Sequence, residues 1–139
     1  MTPTSVPARG HHWLWPPMLL IGVATATLAW VFIALLSGRQ TGWMAVLAAL
    51  EIVFMLRLSR FPAGSARVAV TLVGTLLVVV AANWGIASAY VGGSMGLAPW
   101  DSALRMGPFM AWTLFGLANG VAEALWVLVA LVVGGWLAR

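Results

Sequence analysis

The chain has 139 residues, 63% hydrophobic and 7% charged, with a formal net charge of +4 and a mean hydropathy of +1.02. Soluble domains carry roughly 25% charged residues, and a core of this size could not hide so much apolar surface, so the composition predicts an all-α integral membrane protein whose first partner is the lipid bilayer. Cysteine is absent, which excludes disulfides, thiolate metal sites and a cysteine nucleophile, and the seven arginines are scattered at the ends of apolar runs, a pattern that orients spans and does not build a nucleic-acid-binding face.

Residues 1–12 hold two prolines, a glycine and no apolar periodicity, which predicts a flexible tail. His11 and His12 are adjacent, so they point apart on any regular element, and no third ligand lies nearby; no metal site is expected. Trp13 and Trp15 then mark a membrane interface, where an indole buries its ring and keeps its N–H wet, and Pro16-Pro17 suit a first helical turn. The first span is read over about 18–37. Arg9 followed by an apolar run with Ala24-Thr25-Ala26 has the outline of a signal peptide, but the run continues to Leu36 and an uncleaved span is expected.

A short polar turn, Ser37-Gly38-Arg39-Gln40-Thr41-Gly42, makes the second span, about 42–58, an antiparallel neighbour of the first. That span contains Glu51 and ends in Arg57 and Arg60. After a loop of breakers (Phe61 to Arg67), a third span is expected over about 68–91, with Ala81, Gly85 and Ala89 repeating every four positions at the spacing that lets membrane helices approach closely. A short interfacial helix follows, with Trp100, Ala103 and Leu104 on one face, Asp101 and Arg105 four apart on the other, and Gly107 as its stop.

The last apolar run, about 109–137, would be about 43 Å long as one straight helix against a hydrocarbon thickness of about 30 Å. A bend near Asn119-Gly120 is the expected remedy, and Gly116 and Gly120 are read as further helix-packing positions. The fold expected is thus one transmembrane domain, a four-helix bundle with a short interfacial helix between its third and fourth spans. Arg9, Arg57, Arg60, Arg67 and Arg139 fall on one side and Arg39 and Arg105 on the other, which places both termini in the cytoplasm. The absence of lysine, with abundant Ala, Val, Gly and Trp, fits a GC-rich bacterial genome and hence a bacterial inner membrane.

Charged side chains within a span cost roughly 2.5–3.5 kcal/mol on insertion scales, so Glu51 and Glu123 need a role or a partner. Counting helical rise from the flanking arginines puts Glu51 about 9 Å from the cytoplasmic edge, near Thr71 and Thr75, and puts Glu123 and Asn83 both at about 24 Å. Glu51 forms one candidate polar site; Asn83, Asn119 and Glu123 form a second, outer one, with the asparagines bonded to each other if their role is structural. No phosphate loop, zinc-binding helix, serine with a base, or paired haem ligands occurs in the sequence, so no catalytic residue or cofactor is expected. The leading expectation is a non-enzymatic accessory or assembly subunit that meets a protein partner or another copy of itself. The alternatives are a small oligomeric transporter or channel using the carboxylates, and a membrane enzyme acting on lipid.

Overall fold

An apolar chain satisfies its backbone most readily by helix, and every element formed by the described residues is helical. The computed structural model describes residues 12–39 and 41–139. A single 3-10 turn, His12–Leu14, leads into α1 (Trp15–Ser37), α2 (Met44–Leu58), α3 (Ser65–Met95), α4 (Pro99–Arg105), α5 (Pro108–Ala118) and α6 (Val121–Leu137). The tail expected before residue 12 and the side chains of the histidine pair lie outside the described residues.

Helix ends follow the local chemistry. Pro16-Pro17, Pro99 and Pro108 sit in first turns, where their missing N–H groups have no helical partner to lose. Gly38 ends α1 at φ 61° and Gly96 ends α3 at φ 67°, left-handed conformations that glycine adopts without a Cβ clash. At the end of α2 the same role falls to Arg60, at φ 55°, while the Arg60 and Phe61 amides donate to Arg57 O and Leu56 O, both at 3.0 Å.

Two of the helices, α1 and α3, are long and apolar enough to cross a membrane, and a third crossing results if α5 and α6 count as one broken span. The expected fourth span is not a single helix. It breaks at Asn119-Gly120, and α5 and α6 diverge there by 99°. Asn119 and Gly120 both take extended backbone, with ψ of 105° and −178°, which stops the hydrogen-bond ladder of α5 and restarts it at Val121. The second expected span is also short: α2 has 15 residues, about 22 Å of rise. Three amides, of Met44, Ala45 and Val46, bond carbonyls three residues back and extend the helical path to Thr41.

Helices α2 and α3 form the centre. Both touch α1 and α6, which among the described residues do not touch each other, while α4 and α5 pack on α3 alone. The contacts run along small residues: Gly22, Ala26 and Ala34 on α1, Ala45, Ala48 and Ala49 on α2, and Ala130 and Gly134 on α6 are all buried. A methyl group placed on Gly134 would lie 3.2 Å from the Ala49 side chain and 3.3 Å from that of Thr71, and one on Gly22 would lie 3.0 Å from Met55 Cγ. At one end of the bundle the last carbonyls of α6 are capped by arginine. Arg67, itself buried, donates to Ala138 O at 2.7 Å and Arg139 O at 2.9 Å, and Arg57 donates to Leu137 O at 2.6 Å. Trp15 meets Phe61 edge-to-face at 5.3 Å at that same end.

The helix-packing positions expected from sequence divide. Gly85 is a true contact, since a methyl there would lie 2.8 Å from Val31 Cγ2 of α1, and Ala89 is half-buried. Ala81 is exposed, and methyls on Gly116 and Gly120 would meet nothing within 4 Å. Helix α4 also seats differently from its apolar pattern: Ser102 and the following Met106 are buried, with Ser102 beside Gly92 of α3, while Trp100 and Leu104 stay exposed.

Gly134→Leu is therefore expected to lower stability by about 1–3 kcal/mol, the usual range for overpacking, because α2 and α3 must move apart to admit it. Gly116→Leu should stay within about 0.5 kcal/mol of the parent. Thermal unfolding in one detergent compares the two directly.

Candidate functional site

Three polar contacts lie between the apolar helices, and each uses a residue singled out from the sequence. The first joins α1 to α2. Glu51, half-buried on α2, accepts a hydrogen bond from the Thr25 hydroxyl of α1. That hydroxyl oxygen also lies 2.8 Å from Ile21 O and 3.3 Å from Gly22 O. A hydroxyl carries one proton, so the carboxylate competes for it with the carbonyls of the helix that Thr25 belongs to. Thr71 and Thr75, near which Glu51 was expected by depth, do not meet it: the Thr75 hydroxyl donates to Thr71 O at 2.8 Å, and the Thr71 hydroxyl is buried without a partner among the described residues while its methyl faces Gly134.

The second contact ties the break in the last run to α3. Asn119 Nδ2 donates to Asn83 Oδ1 at 2.9 Å and to Phe115 O at 2.9 Å, while Asn83 Nδ2 donates to Val79 O at 2.8 Å. Asn83 thus bonds back within α3 while Asn119 caps α5, and the two are also partners of one another. Asn119 stands where α5 ends, and its side chain takes up a carbonyl of that helix in the last turn. On either side of Phe115 a cavity opens between α3 and α5, of about 250 and 190 Å3. Asn83 lines both; Val80, Trp84 and Trp112 wall the first, and Ile86, Tyr90 and Leu114 the second. No carboxylate lines either cavity.

The third contact separates Glu123 from the asparagines. Glu123 lies in the first turn of α6, and its carboxylate rests against Gly42, just before the N-terminal residue of α2. The carboxylate thus lies near the starts of two helices, where the helix dipoles favour a negative charge. Gly42 is buried, and a side chain there would occupy the volume of the carboxylate and come within 3.2 Å of Trp126 Cδ1. The neighbouring Thr41 is buried with its hydroxyl unbonded among the described residues. The expected outer layer is thus two contacts, the amide pair and the Glu123–Gly42 contact. Since Gly42 precedes Glu51 by nine residues on the same helical path, the two carboxylates sit about 13 Å apart along α2.

Sequence reasoning passed over Gly42, Thr25 and Arg67. Only Arg67 had a readable signal, a cation placed to meet the end of a returning helix; Gly42 read as an ordinary turn glycine, and Thr25 as one hydroxyl among several. Comparison with family models, with curated proteins and with solved structures finds no match for the chain.

The Glu123–Gly42 contact makes a coupled prediction. Gly42→Ala is expected to reduce stability by about 1 kcal/mol in the parent, because the carboxylate must leave its seat. In a Glu123→Ala background the same change should fall below about 0.5 kcal/mol. A double-mutant cycle read by thermal unfolding checks it, and additive effects would mean that the contact does not form.

Proposed function

We propose that the chain is a four-span protein of the bacterial inner membrane, with both termini in the cytoplasm, that acts as a non-enzymatic accessory or assembly subunit beside a larger membrane partner. In this reading α1, α2, α3 and α6 are the spans. Helices α2 and α6, about 22 and 25 Å of rise, reach across with their flanking turns or by local thinning of the bilayer. Helices α4 and α5 lie at the outer leaflet.

One observation carries the accessory reading: the two glutamates and two asparagines singled out among these helices each make a contact that joins one helix to another segment. Asn83 and Asn119 bond each other, Glu51 bonds Thr25, and Glu123 rests on the start of α2. A transport path needs such groups facing a cavity, whereas the cavities beside Asn83 are almost wholly apolar. Helix α5 adds support. None of its 11 residues is buried, and Phe109, Trp112 and Leu117 stand 83%, 74% and 80% exposed, a surface suited to lipid or to a partner's helix. The transporter reading keeps one specific support, the half-buried Glu51 that accepts a hydrogen bond from Thr25 at the α1–α2 seam.

Orientation follows from charge. Arg57, Arg67 and the Leu137–Arg139 terminus gather at one end through their hydrogen bonds, Arg60 is next to them in the chain, and Arg39 follows α1 at the opposite end. A phosphatase fused after Arg139 is expected to be inactive, and one inserted within residues 94–98 active. The reverse pattern would overturn the orientation.

The two functional readings part at the carboxylates. For an accessory subunit, Glu51→Gln and Glu123→Gln should leave a copurifying partner at parental yield, whereas Gly85→Leu, driven against Val31, should remove it by disrupting the bundle. Gly120→Leu, with open space around it, should keep the fold and lose the partner only if the partner covers the break. Loss of the cellular phenotype with Glu51→Gln alone, in protein that still accumulates and assembles, would replace this reading with transport.

A further inference from the structure

The arginine-rich end of the bundle carries no acidic side chain. The three acidic side chains of the sequence are Glu51, Asp101 and Glu123. Asp101 belongs to α4 and Glu123 to the start of α6, both remote from this end, and Glu51 lies six residues up α2 from Arg57, about 9 Å away along the helix. Four guanidinium groups, those of Arg57, Arg60, Arg67 and Arg139, are therefore gathered with no carboxylate side chain among them. Arg57 and Arg67 donate to the main-chain oxygens of Leu137, Ala138 and Arg139 and to no acidic side chain. Arg60 and Arg139 are exposed.

Beside this cluster runs an open groove of about 510 Å3 along the first two turns of α3. Gly64, Ser65 and Arg139 form its polar mouth, and Val68, Ala69 and Leu72 form an apolar floor leading toward the middle of the helix. The order of these residues along α3 is the order of a lipid: an anion-seeking mouth, then an apolar wall about 10 Å long from Ser65 to Leu72. We propose that this groove binds one anionic phospholipid, with its phosphate between Arg139 and Ser65 and the start of an acyl chain along Val68 and Leu72. Charge complementarity selects the occupant. A zwitterionic lipid brings a cation of its own toward four guanidiniums, and an uncharged lipid leaves them unmatched. The inference rests on the membrane placement proposed above, with this end at the cytoplasmic headgroups, and is independent of the accessory role.

The test uses the full chain purified in a neutral detergent and exchanged into mixed micelles with phosphatidylglycerol, phosphatidylcholine or inorganic phosphate, with retained lipid counted by native mass spectrometry. One phosphatidylglycerol should be retained in preference to phosphatidylcholine, and inorganic phosphate should not displace it. Arg139→Gln should weaken retention about fivefold, the effect of one basic residue at a membrane surface. Leu72→Trp, which fills the groove without changing charge, should weaken it at least as much, whereas Arg39→Gln at the opposite end should leave it unchanged. Equal retention of both lipids, or full retention by Leu72→Trp, would overturn the groove assignment and leave only a diffuse field. Displacement by inorganic phosphate would overturn the lipid as occupant. A failure of the membrane placement itself is seen separately, as an active phosphatase fused after Arg139.

Discussion

The close approach of α2, α3 and α6 around Gly134 is the constraint on which the remaining contacts depend. In a bilayer the lipid tails are as apolar as leucine, so apolar area alone gives helices little reason to associate, and association rests on dispersion at short range and on hydrogen bonds. Gly134 has room for no side chain against Ala49 and Thr71, and this fixes how deeply α6 sits on the α2–α3 pair. With α6 at that distance, Arg57 and Arg67 reach its last carbonyls at 2.6 to 2.9 Å. The same register brings Glu123, at the other end of α6, onto Gly42. On the opposite side of the pair, Gly22 lets α1 close on Met55 and Ile52, which is what brings Thr25 to Glu51.

The break at Asn119-Gly120 follows from the same economy of polar groups. A helix interrupted in an apolar medium leaves carbonyls at one end and amides at the other with no partner, and each must be met locally. Asn119 answers on the α5 side by bonding Phe115 O, and its bond to Asn83 holds the interruption against α3. On the α6 side the amides of Glu123 and Ala124 turn back onto Gly120 O, and Glu123 adds a negative charge to the first turn. Once the chain has turned by 99°, α5 can no longer extend the core formed by α6, which is why none of its residues is buried and why cavities remain on both sides of Phe115.

The helical class, the turns and the place of the break were legible in the sequence, because they depend on local chemistry: apolar runs, prolines at first turns, glycines at ends, and a length excess in the last run. The pairing of Asn83 with Asn119 was expected as a structural bond between two asparagines, although counting from the arginines put Asn83 level with Glu123 and Asn119 one turn further out. The contacts that depend on rotation about a helix axis were not legible. Ala81, Gly116 and Gly120 have the right spacing and face away from every neighbour, while the positions that carry contact, Gly22, Ala49 and Gly134, sit in runs that are apolar all round. A helix without a polar face gives no sequence signal of which side is inward. For the same reason depth counting alone placed Glu51 with Thr71 and Thr75, when rotation turns it toward Thr25.

The two ends of the bundle are built unequally, and this bears on where it can change shape. At the arginine end, hydrogen bonds from two helices hold the terminus of a third, and Trp15 packs on Phe61 across the first helix and the loop after the second. At the other end, α4 and α5 are held by α3 alone, and between α5 and α3 lie one amide pair and two cavities. Segments with few buried contacts open at lower free energy than the core they rest on. On that ground α5, none of whose residues is buried, is the segment expected to open most easily, while α1, α2, α3 and α6 hold their register. Of the two carboxylates, Glu123 borders that end and Glu51 lies about 13 Å away in the packed part. A partner that covers α5 would be sensed first through the Asn83–Asn119 bond and the seat of Glu123, with Glu51 left to hold α1 against α2.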